Sequence, residues 1–125
     1  MKYYDFKGEE GTEDYYLQYR DEFIAKCQVL VDESMRNHSW DNKLSVNKGR
    51  RYDKIICEDV HDESHRNSKR VWGFVDKTNG DILKPAGWNA PAKHARGNIY
   101  DDDPILFIGP FGPAYMDTIK EYYGA

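Results

Sequence analysis

Apolar residues recur at spacings of three and four through Tyr16, Tyr19, Phe23, Cys27, Leu30, Val31 and Met35. That period predicts one long helix carrying a single apolar stripe. Thr12 is the N-cap such a helix needs, and Glu13 and Asp14 follow in the first turn, where negative charge suits the unpaired N–H groups. The predicted helix runs over 12–37. At about 25 residues and 1.5 Å each it would be about 38 Å long, more than a domain of this size spans, so it must kink, split or lie against a second copy. Ahead of it, Tyr3, Tyr4 and Phe6 precede Gly8-Glu9-Glu10-Gly11, which reads as an arm over 1–11 that docks on the rest of the chain.

Beyond Trp40 the pattern changes to short strand-like runs at Arg51–Cys57, Lys69–Asp76 and Asp81–Lys84. Asn79-Gly80 between the last two is a hairpin signal, because both residues tolerate positive φ. Pro85 and Gly87 end the third run. Pro91 suits the first position of a short helix ending at Gly97, and Pro113–Tyr123 reads as a closing helix. The expectation is one α+β domain over 1–125: a long N-terminal helix, a small antiparallel sheet of about three or four strands, and short C-terminal helices, with sheet and C-terminal helices filling 48–125.

A chain of 125 residues suffices for one core and not for two. With 10 Tyr and 32% charged residues, the balance fits a small core under a solvated surface or a subunit that completes its core by association. The long helix and the tyrosine excess together predict a homo-oligomer through that helix. A net charge of −4 gives the whole molecule no pull on nucleic acid or anionic membranes, so such binding would need a local patch. No run approaches the roughly 18 apolar residues of a membrane span, and MKYYDFKGEE lacks a signal-peptide core, which predicts a cytosolic protein. Cys27 and Cys57 do not make a disulfide framework and read as buried thiols.

The chemistry concentrates in two places. Trp88, Lys93, His94, Arg96 and Asn98 form the first: a helix from Pro91 would present free N–H groups to a phosphate, Lys93 and Arg96 would share a face, Trp88 would stack on a base and Asn98 would read its edge. The ordinary use of the same residues is a core tryptophan with surface pairs to Asp101, Asp102 and Asp103. The second is basic: Lys48, Arg50, Arg51 and Lys54, with Arg66, Lys69 and Arg70, brought together if the first two strands pair, though Glu58, Asp59, Asp62 and Glu63 between them would offset the charge. Cys57, His61 and His65 lie four apart, but Asp62 stands where a zinc protease has Glu, and a polar loop is the better reading. Asp101-Asp102-Asp103 reads as a solvated turn. No serine sits on a glycine-flanked elbow and no phosphate-binding glycine loop is present, so no metal, no cofactor and no catalytic residue is expected.

Phe74-Val75-Asp76-Lys77 with Gly80-Asp81, Lys84-Pro85-Ala86 with Trp88, Ala90-Pro91-Ala92-Lys93 and Arg96-Gly97-Asn98 form a block that resembles small accessory proteins of tailed bacteriophages, cyanophages included. Gly109-Pro110-Phe111-Gly112-Pro113-Ala114-Tyr115 is similar to the ending of such proteins. The resemblance covers the C-terminal two fifths of the chain and implies a phage origin and a small compact domain; it transfers no catalytic residue. Joined to the cationic clusters, it leads to the expectation of a non-enzymatic phage accessory protein of the host cytoplasm that binds a small phosphorylated ligand, such as a nucleotide signal of host defence, through Trp88, Lys93, Arg96 and Asn98, with Arg50, Arg51, Lys54, Lys69 and Arg70 as a secondary surface. Two alternatives stand beside it: a virion-associated or host-protein interaction module, and single-stranded nucleic-acid binding.

Overall fold

The computed structural model describes residues 3–4, 10–35, 41–60 and 68–124. Along the chain lie β1 (Tyr3–Tyr4), β2 (Glu10–Gly11), α1 (Glu13–Met35), β3 (Asp41–Asn47), β4 (Tyr52–Val60), β5 (Ser68–Asp76), β6 (Asp81–Pro85), β7 (Pro91–Asn98), β8 (Ile108–Gly109), β9 (Gly112–Pro113) and α2 (Met116–Tyr122). The fold is α+β. The arm pairs with itself, β1 antiparallel to β2, and β1 touches α1.

Thr12 caps α1 as its sequence predicts: its Oγ1 accepts the Tyr15 N–H at 3.1 Å and its carbonyl accepts the Tyr16 N–H at 3.2 Å. Tyr16, Phe23, Cys27 and Val31 are buried along one side of the helix, with Tyr19 and Leu30 half-buried beside them. That stripe rests on the chain's own sheet. Gln28 fixes the contact by accepting the Leu44 N–H at 2.8 Å and donating to the Asn42 carbonyl at 2.9 Å. A helix of 23 residues thus runs as one continuous element along the chain's own sheet. The predicted stop at Asn37 lies outside the described residues.

The main sheet has five antiparallel strands in the order β3-β4-β5-β6-β7, more than the three or four expected. The two extra strands are the edges. β3 reads Asp-Asn-Lys-Leu-Ser-Val-Asn and is too polar to announce itself. β7 is a correction: Pro91–Asn98 is a strand paired to β6, with Pro85 opposite Pro91 and Asp81 opposite Asn98, and not a helix. Proline at the start of an edge strand forfeits no ladder bond, so Pro91 suits both readings, and the neighbouring β6 decides between them. The turn at Asn79-Gly80 joins β5 to β6 as the antiparallel hairpin expected. Gly80 alone takes a positive φ, 82°; its N–H donates to the Asp76 carbonyl at 2.7 Å, and the Asp76 side chain accepts from the Thr78 N–H and hydroxyl.

Cross-strand register sorts the side chains by face. Asp53, Val75 and Ile82 are partners across β4, β5 and β6 and point toward α1, whereas Lys54, Phe74 and Leu83 are partners on the opposite face. A bulge in β5 beside Ile55 and Ile56 turns Trp72 into the core under α1. The rest of that side is closed by the β8–β9 hairpin, whose Pro110 carbonyl accepts the Trp72 Nε1–H at 3.2 Å, and by α2. This last helix is shorter than the predicted Pro113–Tyr123, is the only C-terminal helix among the described residues, and buries none of its side chains. Among the described residues no helix is long and apolar enough to cross a membrane.

Candidate functional site

The side of the sheet away from α1 carries a basic pocket of about 430 Å³, lined by Asn47, Lys48, Gly49, Arg50, Arg51, Tyr52, Lys54, Phe74 and Asn89. Its floor is aromatic. Phe74 is buried, and the Tyr52 ring meets it edge-on at 6.3 Å. Its rim is cationic: Lys48 and Arg50 are exposed, Arg51 lies 5.1 Å over the Tyr52 ring and bonds Asp76 at 3.2 Å, and Lys54 donates to Asn89 Oδ1 at 2.7 Å. Among the described residues no carboxylate lies within ion-pair distance of Lys48, Arg50 or Lys54. The connection between β6 and β7 folds back over the same face, held by the Ala86 and Gly87 N–H groups on the Ala90 carbonyl, and sets Trp88 5.0 Å from Lys54 Nζ.

The loop that carries the cations is braced from below. A Cβ on Gly49 would collide with the Tyr52 carbonyl, so this position requires glycine. Lys77 donates to the Gly49 carbonyl at 2.5 Å, and its own N–H donates to the Arg51 carbonyl at 2.9 Å. The same ammonium reaches through the sheet to Asp53, 3.3 Å from Oδ1, near enough for an ion pair though out of line for a hydrogen bond. Asp53 is fully buried, and its other oxygen accepts from the Tyr16 hydroxyl and from Arg20 Nη1, both at 2.8 Å. Burial and the Asp53 charge hold the Tyr16 phenol firmly protonated, its pKa raised. The buried carboxylate is thus met by two cations and a hydroxyl, the condition under which such a charge is tolerated.

The four residues expected to form the ligand site are not brought together. Trp88 is 53% exposed at a loop tip and joins Lys54. Lys93 is exposed on β7, and a strand sends residues three apart to different sides, unlike the helix that would have aligned it with Arg96. Arg96 is buried, donating through Nε to the Ala114 carbonyl at 3.1 Å and through Nη1 to the His94 carbonyl. Asn98 is spent on the fold: its amide donates to the Asn79 carbonyl and Asp81, and its side-chain oxygen accepts the Tyr100 N–H.

The secondary surface fares better in part. Arg50, Arg51 and Lys54 converge with Lys48 in the pocket. Lys69, opposite Glu58 in the register, stays apart, and Arg70 belongs to the α1 side, where it bonds the Phe111 carbonyl at 3.1 Å. Sequence reading missed Asn47, Gly49, Phe74 and Asn89; the run Lys48-Gly49-Arg50-Arg51-Tyr52, with an aromatic against three cations and glycine, carried the available signal. Cys27 and Cys57 are buried thiols as expected, and burial pushes Cys27 up to about 12. Among the described residues no cluster of His, Cys, Asp and Glu could hold a metal ion; His61 and His65 lie outside them.

The chain belongs to DUF7717, a family of unknown function, whose model matches residues 7–105. The match takes in α1, the five-stranded sheet and every residue lining the basic pocket. Comparison with curated proteins and with solved structures gave no match.

Proposed function

We propose that this protein binds a small phosphorylated ligand bearing a planar ring, with a nucleotide as the fitting class, in the basic pocket on the sheet face away from α1. The observation that carries the reading is the pairing of an aromatic floor, Tyr52 and Phe74, with Lys48, Arg50, Arg51 and Lys54 in one pocket of an acidic chain. Its volume of about 430 Å³ falls in the usual range for small-molecule sites. Phosphate would meet Lys48 and Arg50 at the rim. A ring would lie between Tyr52 and the exposed Trp88 tip, and Asn47 and Asn89 offer amides to its edge. A net charge of −4 works against a long polyanion, whose affinity depends on a broad positive surface. The phage-like motif block supports a role as a non-enzymatic accessory protein of an infected cell, binding a nucleotide signal of host defence.

Calorimetric titration with mono-, di- and cyclic nucleotides tests this. Arg50→Ala should weaken the bound nucleotide by about 1.5–3 kcal/mol, the range for hydrogen bonds to charged groups, with melting unchanged because Arg50 is exposed. Trp88→Ala should weaken it less. A folded parent that binds none of the panel sinks the proposal and favours the interaction module, for which the exposed Phe111, Tyr115, Tyr122 and Tyr123 are the observation. Affinity that climbs with oligonucleotide length and collapses with salt would favour single-strand binding instead.

A further inference from the structure

On the α1 side of the sheet, three cations from three adjacent strands reach one short piece of backbone. Arg70 of β5 donates to the Phe111 carbonyl at 3.1 Å, Lys84 of β6 to the Pro113 carbonyl at 2.9 Å, and Arg96 of β7 to the Ala114 carbonyl at 3.1 Å. None has a carboxylate within ion-pair distance among the described residues. A carbonyl satisfies one donor and carries no formal charge, so three positive charges share this strip without a counter-charge.

Anchoring the strip does not require that. Trp72, a neutral donor, holds the next carbonyl, that of Pro110, at 3.2 Å. Three cations therefore exceed what the backbone asks for, and they come at a cost: burial, together with repulsion from Arg96 and Arg70, lowers the Lys84 pKa, and burial lowers that of Arg96. The arrangement is open on one side. The Phe111 and Tyr115 rings, 67% and 68% exposed, stand over Arg70 at 5.7 Å and over Lys84 at 4.1 Å. An ammonium has three donors and a guanidinium five, and the carbonyls take up one from Lys84 and one from Arg70. Arg70 spends part of its remainder on the buried Cys57 thiol, and each cation keeps further N–H groups.

We infer that Arg70, Lys84 and Arg96 form a second anion site, distinct from the basic pocket on the other face, that takes a single oxyanion group, carboxylate or phosphate, between the Phe111 and Tyr115 rings. Arg70 and Lys84 would contact the anion and Arg96 would supply charge from beneath. The inference does not depend on the nucleotide reading, because no residue is shared between the two sites.

Melting of the parent protein in sodium phosphate, sodium acetate and sodium chloride at matched pH and ionic strength tests it. The expected result is a saturable rise in melting temperature with phosphate or acetate over chloride, and which of the two acts names the anion. Lys84→Gln and Arg70→Gln keep a donor for the carbonyls, and each should raise the half-saturating concentration at least tenfold. Arg50→Ala removes whatever part of the phosphate response belongs to the basic pocket, and the part that remains should keep its dependence on Lys84 and Arg70. In chloride, Lys84→Gln should melt no lower than the parent, since a repelled charge has been removed. Should either variant fail to fold, the Lys84 side-chain resonance of the parent gives the second readout and should shift with the same saturation. Equal melting in all three salts, or an anion response unaltered in the folded variants, overturns the inference.

Discussion

Asp53 shows how much a single buried charge organises. It is reached by Tyr16 and Arg20 from α1 and by Lys77 from the end of β5, so one carboxylate ties the helix to the sheet. Asp53→Ala takes the shared acceptor from Arg20 Nη1 and the Tyr16 hydroxyl in a closed space, leaving Arg20 its bond to the exposed Asp21, and breaking buried pairs in this way typically costs about 3–5 kcal/mol. Denaturant unfolding should show a loss of that size; a loss below about 1 kcal/mol would mean that water reaches the site and replaces the carboxylate. Nothing local in Arg51-Tyr52-Asp53-Lys54 predicts a buried aspartate. Its hydroxyl and guanidinium partners stand 37 and 33 residues away, and only the docking of α1 makes the position interior.

At the scale of elements, α1 and the central strands were legible because each has apolar residues on a buried face: the stripe from Tyr16 to Val31, and Ile55, Val75 and Ile82 within β4, β5 and β6. Phe23→Asp tests the stripe. Phe23 is 1% exposed, and losing the ring alone costs about 3–5 kcal/mol before the new charge is desolvated, so the variant should lose its cooperative melting. A parent-like melting curve would place the stripe in solvent. The edge strands were not legible. β3 and β7 each pair on one side only and bury a single described side chain apiece, so neither shows an apolar period. Reading β7 as a helix then displaced the whole candidate site, since its alignment of Lys93 with Arg96 exists only at helical spacing. The basic pocket, by contrast, was half visible, because Arg50, Arg51 and Lys54 lie close in sequence; Phe74 and Asn89 join them only through strand pairing and the fold-back of the 85–90 connection.

At the scale of the whole molecule, an acidic chain gathers two groups of cations without carboxylate partners among the described residues, one on each side of a five-stranded sheet. Sequence composition gives the net charge and hides this division, which arises from strand alternation. The two sides are nevertheless mechanically joined at Lys77, whose ammonium touches both the Gly49 carbonyl under the pocket loop and Asp53 under α1. Binding free energy is reciprocal between coupled parts. A nucleotide that steadies the 48–51 loop must therefore also slow the detachment of the helix, and hydrogen exchange should find α1 amides better protected in its presence, with the effect abolished in Lys77→Met. Protection confined to the loop would show that Lys77 transmits nothing. With transmission, how long the helix stays docked becomes a readout of ligand concentration, and a partner that recognises the undocked helix would sense the nucleotide without ever touching it.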